Sequence, residues 1–280
     1  MGRVKVVTDS SCDMDASLLD ALNIGVVSLK IRFGDSEELV DRTELTVEQF
    51  WDRVANKKEL PATAAPSPGD FEVAFRAAAA EGYDGVVCIT ISSKLSATIQ
   101  AAELGAEGVK DVIDVRVIDS QALSVTAGIL VQAAGRIAAE GVALDEVVAR
   151  VSELRPRLAM YGTLDTLEYL KRGGRLSSAR ALFGTLLAIK PILVLRDGEV
   201  VEGGKERTRG KALAQMASKV TAQPVDRVIV GHFAANDLDD FLAMISDHVP
   251  EGGIEVSRVG PVAGTHGGPG MITVGFLLPQ

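Results

Sequence analysis

The sequence predicts an α/β protein: an N-terminal domain whose parallel sheet carries helices on both faces, and a smaller C-terminal α+β domain. Three observations predict it. Short β-branched or apolar runs alternate with helix-period segments through the first 155 residues, the pattern of a parallel sheet joined by crossover helices. One run, GVVCITI at residues 85–91, is continuously apolar, as a strand buried on both faces must be. Beyond Arg155-Pro156 the alternation lapses into a Gly-Gly turn, a hairpin signal and closing strands. Proline keeps the residue before it out of helical backbone, so the domains are placed at 1–155 and 156–280.

The elements follow in order. Residues 4–8 (VKVVT) read as a first strand, 15–22 as a helix and 24–29 as a second strand. Thr46 and Gln49 form a capping box ahead of a helical pattern over 46–56. Ser67-Pro68 supplies a cap and an N1 proline for a helix reaching about Glu81. After strand 85–91 come helix 96–107, strand 115–119, and helices 125–140 and 144–154. In the second half, helix 166–172 ends at Gly173-Gly174, and an almost wholly apolar stretch spans 182–195. Asp197-Gly198 between runs 192–195 and 199–201 is a hairpin signal. Helices at 211–220 and 238–248 alternate with strands at 228–232, 254–259 and 271–278. Residues 260–270 (GPVAGTHGGPG) read as a glycine-rich loop between strands.

Composition narrows the function. Aromatics are 4% of residues, so the core must be mostly aliphatic. A net charge of −9 argues against nucleic acid, whose phosphates need a basic face. No apolar run approaches the roughly 18 residues of a spanning helix, and residues 1–7 lack a signal-peptide pattern; a cytoplasmic protein with no integral membrane segment is expected. Cys12 and Cys88 have neither metal nor redox spacing and read as a loop thiol and a core thiol.

Hydroxyls crowd the carboxyl ends of the predicted strands: Thr8-Asp9-Ser10-Ser11, Ser92-Ser93 with Ser96, and Asp119-Ser120, with Thr63 ahead of Pro66-Ser67-Pro68. Singly these are common helix caps; three such loops at one sheet edge, where open parallel sheets bind ligands, suit an anion. The phosphate-cradling GxxxxGK[ST] loop is absent, for GKERTRGK at 204–211 has one residue too many between its glycines and Ala212 where Ser or Thr is needed. Neither GxGxxG, GxSxG nor SxxK occurs. His232, His248 and His266 make no metal pair. His266, beside Thr265, is either a solvated turn residue or a ligand group, and Arg175 after Gly173-Gly174 either an exposed residue past a helix cap or part of a site.

Eight segments in order resemble the DegV family, similar to the fatty-acid-binding subunit of bacterial fatty acid kinases. They are TDSS at 8–11, TxxPSP at 63–68, SSxLSxT at 92–98, VIDS at 117–120, LxxLKRGGRLS at 167–177, KPIL at 190–193, Arg207-Thr208, and GTHxGPG at 264–270. The resemblance implies a long-chain fatty acid buried between the domains and no other cofactor. It implies that Thr63 and Ser96 hydrogen-bond the carboxylate, that Arg207 and His266 complete the head-group site, and that Arg175 faces a partner: an ATP-binding kinase subunit that converts the carboxylate to an acyl phosphate. The chain itself would then be non-catalytic. Three departures stand out: Ala64-Ala65 in place of Ser-Gln, Ala97 where glycine is usual, and Gly267 in place of threonine. Ala97 is expected to add a methyl near the head group. Burying about fifteen methylenes at roughly 0.8 kcal/mol each gains on the order of 12 kcal/mol before ordering costs, more than a hydrogen-bonded carboxylate loses. The competing readings are a hydrolase or phosphotransferase on a small acyl or keto substrate, with Ser96 as nucleophile and His266 as base, and a purely regulatory protein.

Overall fold

The computed structural model describes residues 2–175, 189–249 and 253–280. Leu176 and Ser177 of the GGRLS run, and the first half of the apolar stretch 182–195, lie outside the described residues. Strands β1 (Val4–Asp9), β2 (Ile24–Val27), β6 (Gly85–Thr90) and β7 (Asp114–Asp119) form a parallel sheet in the order β2-β1-β6-β7. Every residue of β6 is buried, as its unbroken apolar run requires. On one face lie α3 (Pro68–Ala80) and α4 (Thr98–Glu107), which bury Phe71, Phe75 and Ala102. On the other lie α5 (Ser124–Ala139) and α6 (Leu144–Leu154), with Leu130, Val131, Val147 and Val151. The strand order reverses between β1 and β6, so a crevice opens beyond their carboxyl ends.

The chain leaves this sheet through a single 3-10 turn, Arg155–Arg157. It enters a six-stranded sheet ordered β10-β9-β8-β13-β11-β12, antiparallel except for β11 with β12. Its strands are β8 (Leu158–Thr163), β9 (Lys190–Arg196), β10 (Glu199–Glu206), β11 (Arg227–His232), β12 (Glu255–Arg258) and β13 (Ile272–Leu277). The Asp197-Gly198 turn joins β9 to β10 as read from the sequence, with Gly198 at φ +81°. Helices α8 (Arg209–Thr221) and α9 (Leu238–Ile245) cover one face through Leu213, Met216 and Phe241.

Two features depart from the sequence reading. A third sheet, β4-β3-β5, is built from β3 (Lys30–Phe33), β4 (Glu37–Val40) and β5 (Pro61–Ala64) and carries Thr63. These four-residue strands pair antiparallel with no long apolar run to announce them. The segment read as a glycine-rich loop is instead mostly helix, α10 (Pro261–Gly267). Proline at its first turn is pre-organised for helix. Its glycines allow close packing: a Cβ at Gly264 would meet the Phe50 ring at 2.7 Å.

The third sheet belongs to both halves. Leu29, Ile31, Phe33 and Phe50 share one apolar cluster with Leu164, Leu193, Phe233 and Val262. Helix α2 (Val47–Trp51) opens with the expected Thr46–Gln49 capping box and inserts its aromatics there. Phe50 and Trp51 lie 5.5 and 5.2 Å from the Phe233 ring centroid, and Trp51 Nε1 donates to Val259 O at 3.0 Å.

A buried polar node ties these parts together. Asp13, at φ +49° after the turn Ser10–Cys12, accepts from Arg42 Nη2 (3.0 Å), Gly260 N (2.8 Å) and Ser124 Oγ (2.5 Å). Its carbonyl accepts from Ser257 Oγ. One residue thereby joins the turn after β1, the loop after β4, the start of α5, β12 and the start of α10. Cys12, expected as a loop thiol, is buried in the same turn, and burial pushes its pKa up to about 12. Neighbouring Asp41 is fully buried and neither carboxylate oxygen has a hydrogen-bond partner; Arg42 Nε stands 3.9 Å away. Desolvation raises its pKa to about 7, against the pull of Arg42.

Asp13→Ala leaves the Arg42 guanidinium buried without its carboxylate, and a loss of about 3–5 kcal/mol is expected in urea unfolding. Asp41→Asn has the opposite sign. Between the ordinary carboxylate range and about 7 the folded chain holds a proton on Asp41 that the unfolded chain has released. Native stability therefore falls as pH rises through that window. Asp41→Asn is expected to stabilise the fold at pH 8 by several kcal/mol, the gain shrinking to nothing as pH falls from 7 towards 4. Unfolding curves at pH 4, 6 and 8 measure it; a gain independent of pH would remove Asp41 as the titrating group.

Candidate binding site

Between the sheets, beyond the carboxyl ends of β1, β6 and β7, lies a narrow cavity. Leu29, Ile91, Leu123, Met160, Leu164, Leu170, Leu193, Val200, Val262 and Met271 make its walls. Its volume is ≈ 70 Å³, against the roughly 10–15 Å³ that admits one water.

Apart from Thr273, whose Oγ1 donates to Tyr161 O at 3.2 Å, the polar side chains of the lining fall into two sets. Ser11 and Ser124 spend their hydroxyl protons on the buried aspartates: Ser11 Oγ donates to Asp9 Oδ1 at 2.5 Å, and Ser124 Oγ to Asp13. Asp9 Oδ2 accepts from Ile91 N at 2.7 Å, locking β1 to β6 where the strand order reverses. Burial raises the Asp9 pKa. The second set is Thr63, Ser96, Arg175 and His266, four residues drawn from β5, the loop before α4, the turn after α7 (Glu168–Arg172) and α10. The sequence reading placed Thr63, Ser96 and His266 at the head-group site and Arg175 on a partner surface; the structure lines one cavity with all four.

Thr63 Oγ1 and His266 Nε2 are 3.1 Å apart, while His266 Nδ1 is buried without a partner. Burial, and secondarily the Arg175 charge, lowers the His266 pKa to about 4, so the ring is neutral near pH 7. A buried N–H without a partner is rarer than an idle acceptor. The proton therefore belongs on Nε2, donated to Thr63 Oγ1, which leaves the Thr63 proton for a ligand oxygen. Room for this ring comes from Gly173, where a Cβ would lie 2.0 Å from Nδ1.

Ser96 stands at the start of α4, which has no side-chain cap at Ala97. Ser96 Oγ lies 2.8 Å from Thr98 Oγ1 and accepts from Thr98 N at 3.3 Å. An uncapped helix N-terminus favours an anion. The turn itself hangs on Ser92, whose carbonyl accepts from Leu95 N and Ser96 N and whose Oγ donates to Gly198 O at 2.7 Å. Arg175 straps the mouth, with Nε donating to Leu95 O (3.1 Å) and Nη1 to Gly173 O (2.7 Å).

Arg207 is not brought to this site. It is exposed past the end of β10 and does not line the cavity. Its neighbour Thr208 caps α8, and the half-buried cation here is Arg209, paired with Asp237 at 2.8 Å. Ala97 is also exposed, so its methyl stays out of the cavity. At Gly267 a Cβ would lie 2.1 Å from Met271 Sδ, so Met271 fills the space a larger residue would need. Ser124 and Met271 went unnoticed as cavity residues; only their places after VIDS and GTHGGPG mark them. Among the described residues no cluster of His, Cys, Asp and Glu is arranged to hold a metal ion, and no helix is long and apolar enough to cross a membrane.

The two larger sheets thus enclose an apolar cavity whose polar lining includes Thr63, Ser96, Arg175 and His266. The family model described as "Uncharacterised protein, DegV family" matches residues 3–278, and the chain belongs to the DegV family. A DegV domain-containing protein of Streptomyces coelicolor is 35% identical over 97% of both chains. Among solved structures, a DegV family protein from Thermus thermophilus, described by its fatty acid binding, superposes with a TM-score of 0.88 at 32% identity, covering 99% of this chain and 100% of that one. A stearic-acid-binding protein from Eubacterium ventriosum gives 0.86 at 26% identity over 98% of each chain.

Gly173→Ala places a methyl in the His266 ring. The ring is expected to move outward, break from Thr63 and titrate closer to its ordinary pKa than to about 4. Nitrogen-15 NMR of the imidazole across pH 3–8 reads this directly; an unmoved titration would show that Gly173 does not seat the ring.

Proposed function

We propose that this protein binds a long-chain fatty acid, with the acyl chain in the cavity between the halves 1–155 and 156–280 and the carboxylate at the mouth. The observation that carries the reading is the geometry itself: a thin, aliphatic cavity that ends on Thr63, Ser96, His266 and Arg175. The fatty acids named for structural relatives support it. Affinity comes from the chain, at roughly 0.8 kcal/mol per buried methylene. Orientation comes from the mouth, where Thr63 and Ser96 donate, His266 holds Thr63, and Arg175 supplies the charge.

On this reading the chain is a presenter. An ATP-binding kinase subunit brings the phosphoryl group. A carboxylate oxygen attacks the terminal phosphorus, the bond to the bridging oxygen breaks, the nucleoside diphosphate leaves, and an acyl phosphate remains. The absence of a phosphate-cradling loop from the sequence fits that division. The hydrolase reading needs a base bonded to Ser96. His266 is bonded to Thr63 and Ser96 to Thr98, so the pair that reading requires is not formed.

Denaturing extraction followed by mass spectrometry is expected to release one fatty acid per chain. Ser96→Ala and Thr63→Val are each expected to weaken binding by about tenfold, the worth of one hydrogen bond to a charged group, measured by displacement of a fluorescent fatty acid. A lipid-free protein that takes up neither palmitate nor oleate would overturn the reading.

A further inference from the structure

The parallel sheet ends on β7. Among the described residues this strand pairs only with β6, in one unbroken register from Gly85 opposite Asp114 to Thr90 opposite Asp119. Alternate residues of β7 therefore point their N–H and C=O groups away from the sheet. Such edges are usually blunted. The edge strand β10 of the second sheet carries a bulge between Glu202 and Gly204, whereas β7 has neither bulge nor proline. Beside β7, below α4, lies a hollow of ≈ 570 Å³ whose apolar lining is Ala106, Ile113, Val115 and Val117. Leu104 of α4 and Val112, just ahead of β7, are 62% and 50% exposed. Alternation along the strand separates two faces. Val115 and Val117 pack towards α3 and α4, while Arg116 turns to Asp145 of α6 at 3.3 Å and to Asp114 at 3.0 Å.

The run Ile113-Asp114-Val115-Arg116-Val117 is complementary to itself. Laid antiparallel about Val115, it sets Val115 against Val115, Ile113 against Val117, and Asp114 against Arg116 twice. Backbone geometry limits the choice of register. Residues opposite one another in an antiparallel pair must both point to the partner or both point away, so odd positions face odd ones and even face even. Moving the centre by one residue then sets Asp114 against Asp114 or Arg116 against Arg116, and like charges directly opposite destabilise a pair.

We propose that this edge is a self-association surface: two copies of the chain pair their β7 strands antiparallel about a twofold axis at Val115, joining two four-stranded sheets into one. The contact uses the same patch on both copies and closes on itself. It gives the outward backbone groups their partners and merges the two hollows into one apolar stripe beneath both α4 helices. Arg116 gains the second copy's Asp114; its own exposed pairing with Asp114 is a weak one to share. The inference stands apart from the fatty-acid reading, since no β7 residue lines that cavity.

Sedimentation equilibrium of the full chain, up to its solubility limit, tests it. The wild type is expected to reach twice the chain mass. Arg116→Asp opposes two carboxylates at each crossing and Asp114→Arg opposes two guanidinium groups, so each variant alone should self-associate about tenfold more weakly or worse. Mixed in equal amounts, the two variants present opposite charges at both crossings and should associate within a few-fold of the wild type. Both positions are exposed, and circular dichroism checks that each variant is folded before mixing. A wild type that stays monomeric, a single variant that dimerises as tightly as the wild type, or a mixture no tighter than its parts each overturns the β7 pairing.

Discussion

The molecule depends on one buried charge pair. Asp13 and Arg42 meet at 3.0 Å, and the aspartate also takes the Gly260 N–H at the head of the α10 segment and the hydroxyl at the head of α5. Taking two charges out of water is expensive, and only full hydrogen bonding repays it. Asp13 meets that demand by drawing donors from the loop after β4, the head of α5, β12 and the head of α10, so these segments are fixed in register. The same network reaches the cavity, because Ser124 both lines it and donates to Asp13. The binding space is thus walled by residues whose positions the charge pair sets.

The parallel sheet was legible because its central strands, β1 and β6, are buried on both faces and announce themselves as apolar runs. Ser96 and Thr63 were marked by the hydroxyls crowding the strand ends, and His266 and Arg175 as open alternatives; nothing in their spacing places four residues from four distant segments around one cavity. What the sequence hid has physical causes. Strands β3, β4 and β5 have four residues each, and the alternation in Lys30–Phe33 is too short to separate from a loop. The α10 helix was hidden by glycines that usually oppose helix. They are there because Phe50 and Met271 occupy the space their side chains would take, a tertiary fact that propensity cannot see. Arg207 was named only through the resemblance, and it stands exposed past the end of β10, outside the cavity lining.

Glycine at 173 makes a further point about how the site is built. The turn after α7 and the α10 helix approach so closely that a single methyl would displace His266. That approach buries the imidazole, and burial, more than any nearby charge, is what keeps it neutral. Close packing of two glycine-rich segments is therefore converted into a protonation state, and the protonation state into a direction for the Thr63 hydroxyl.

A neutral histidine at the mouth has a consequence for the proposed role. A carboxylate fixed by two strong cations would be well held and poorly nucleophilic, because ground-state stabilisation adds to the barrier of whatever follows. Here the cavity assigns the two tasks to different regions. The acyl chain supplies affinity, methylene by methylene. The mouth supplies orientation through hydroxyls and one arginine that is itself bonded to two backbone carbonyls, Leu95 O and Gly173 O. Such a site can hold its ligand tightly without quenching the charge a phosphoryl donor must meet. That separation of affinity from reactivity is what distinguishes a protein that presents a fatty acid from one that merely stores it.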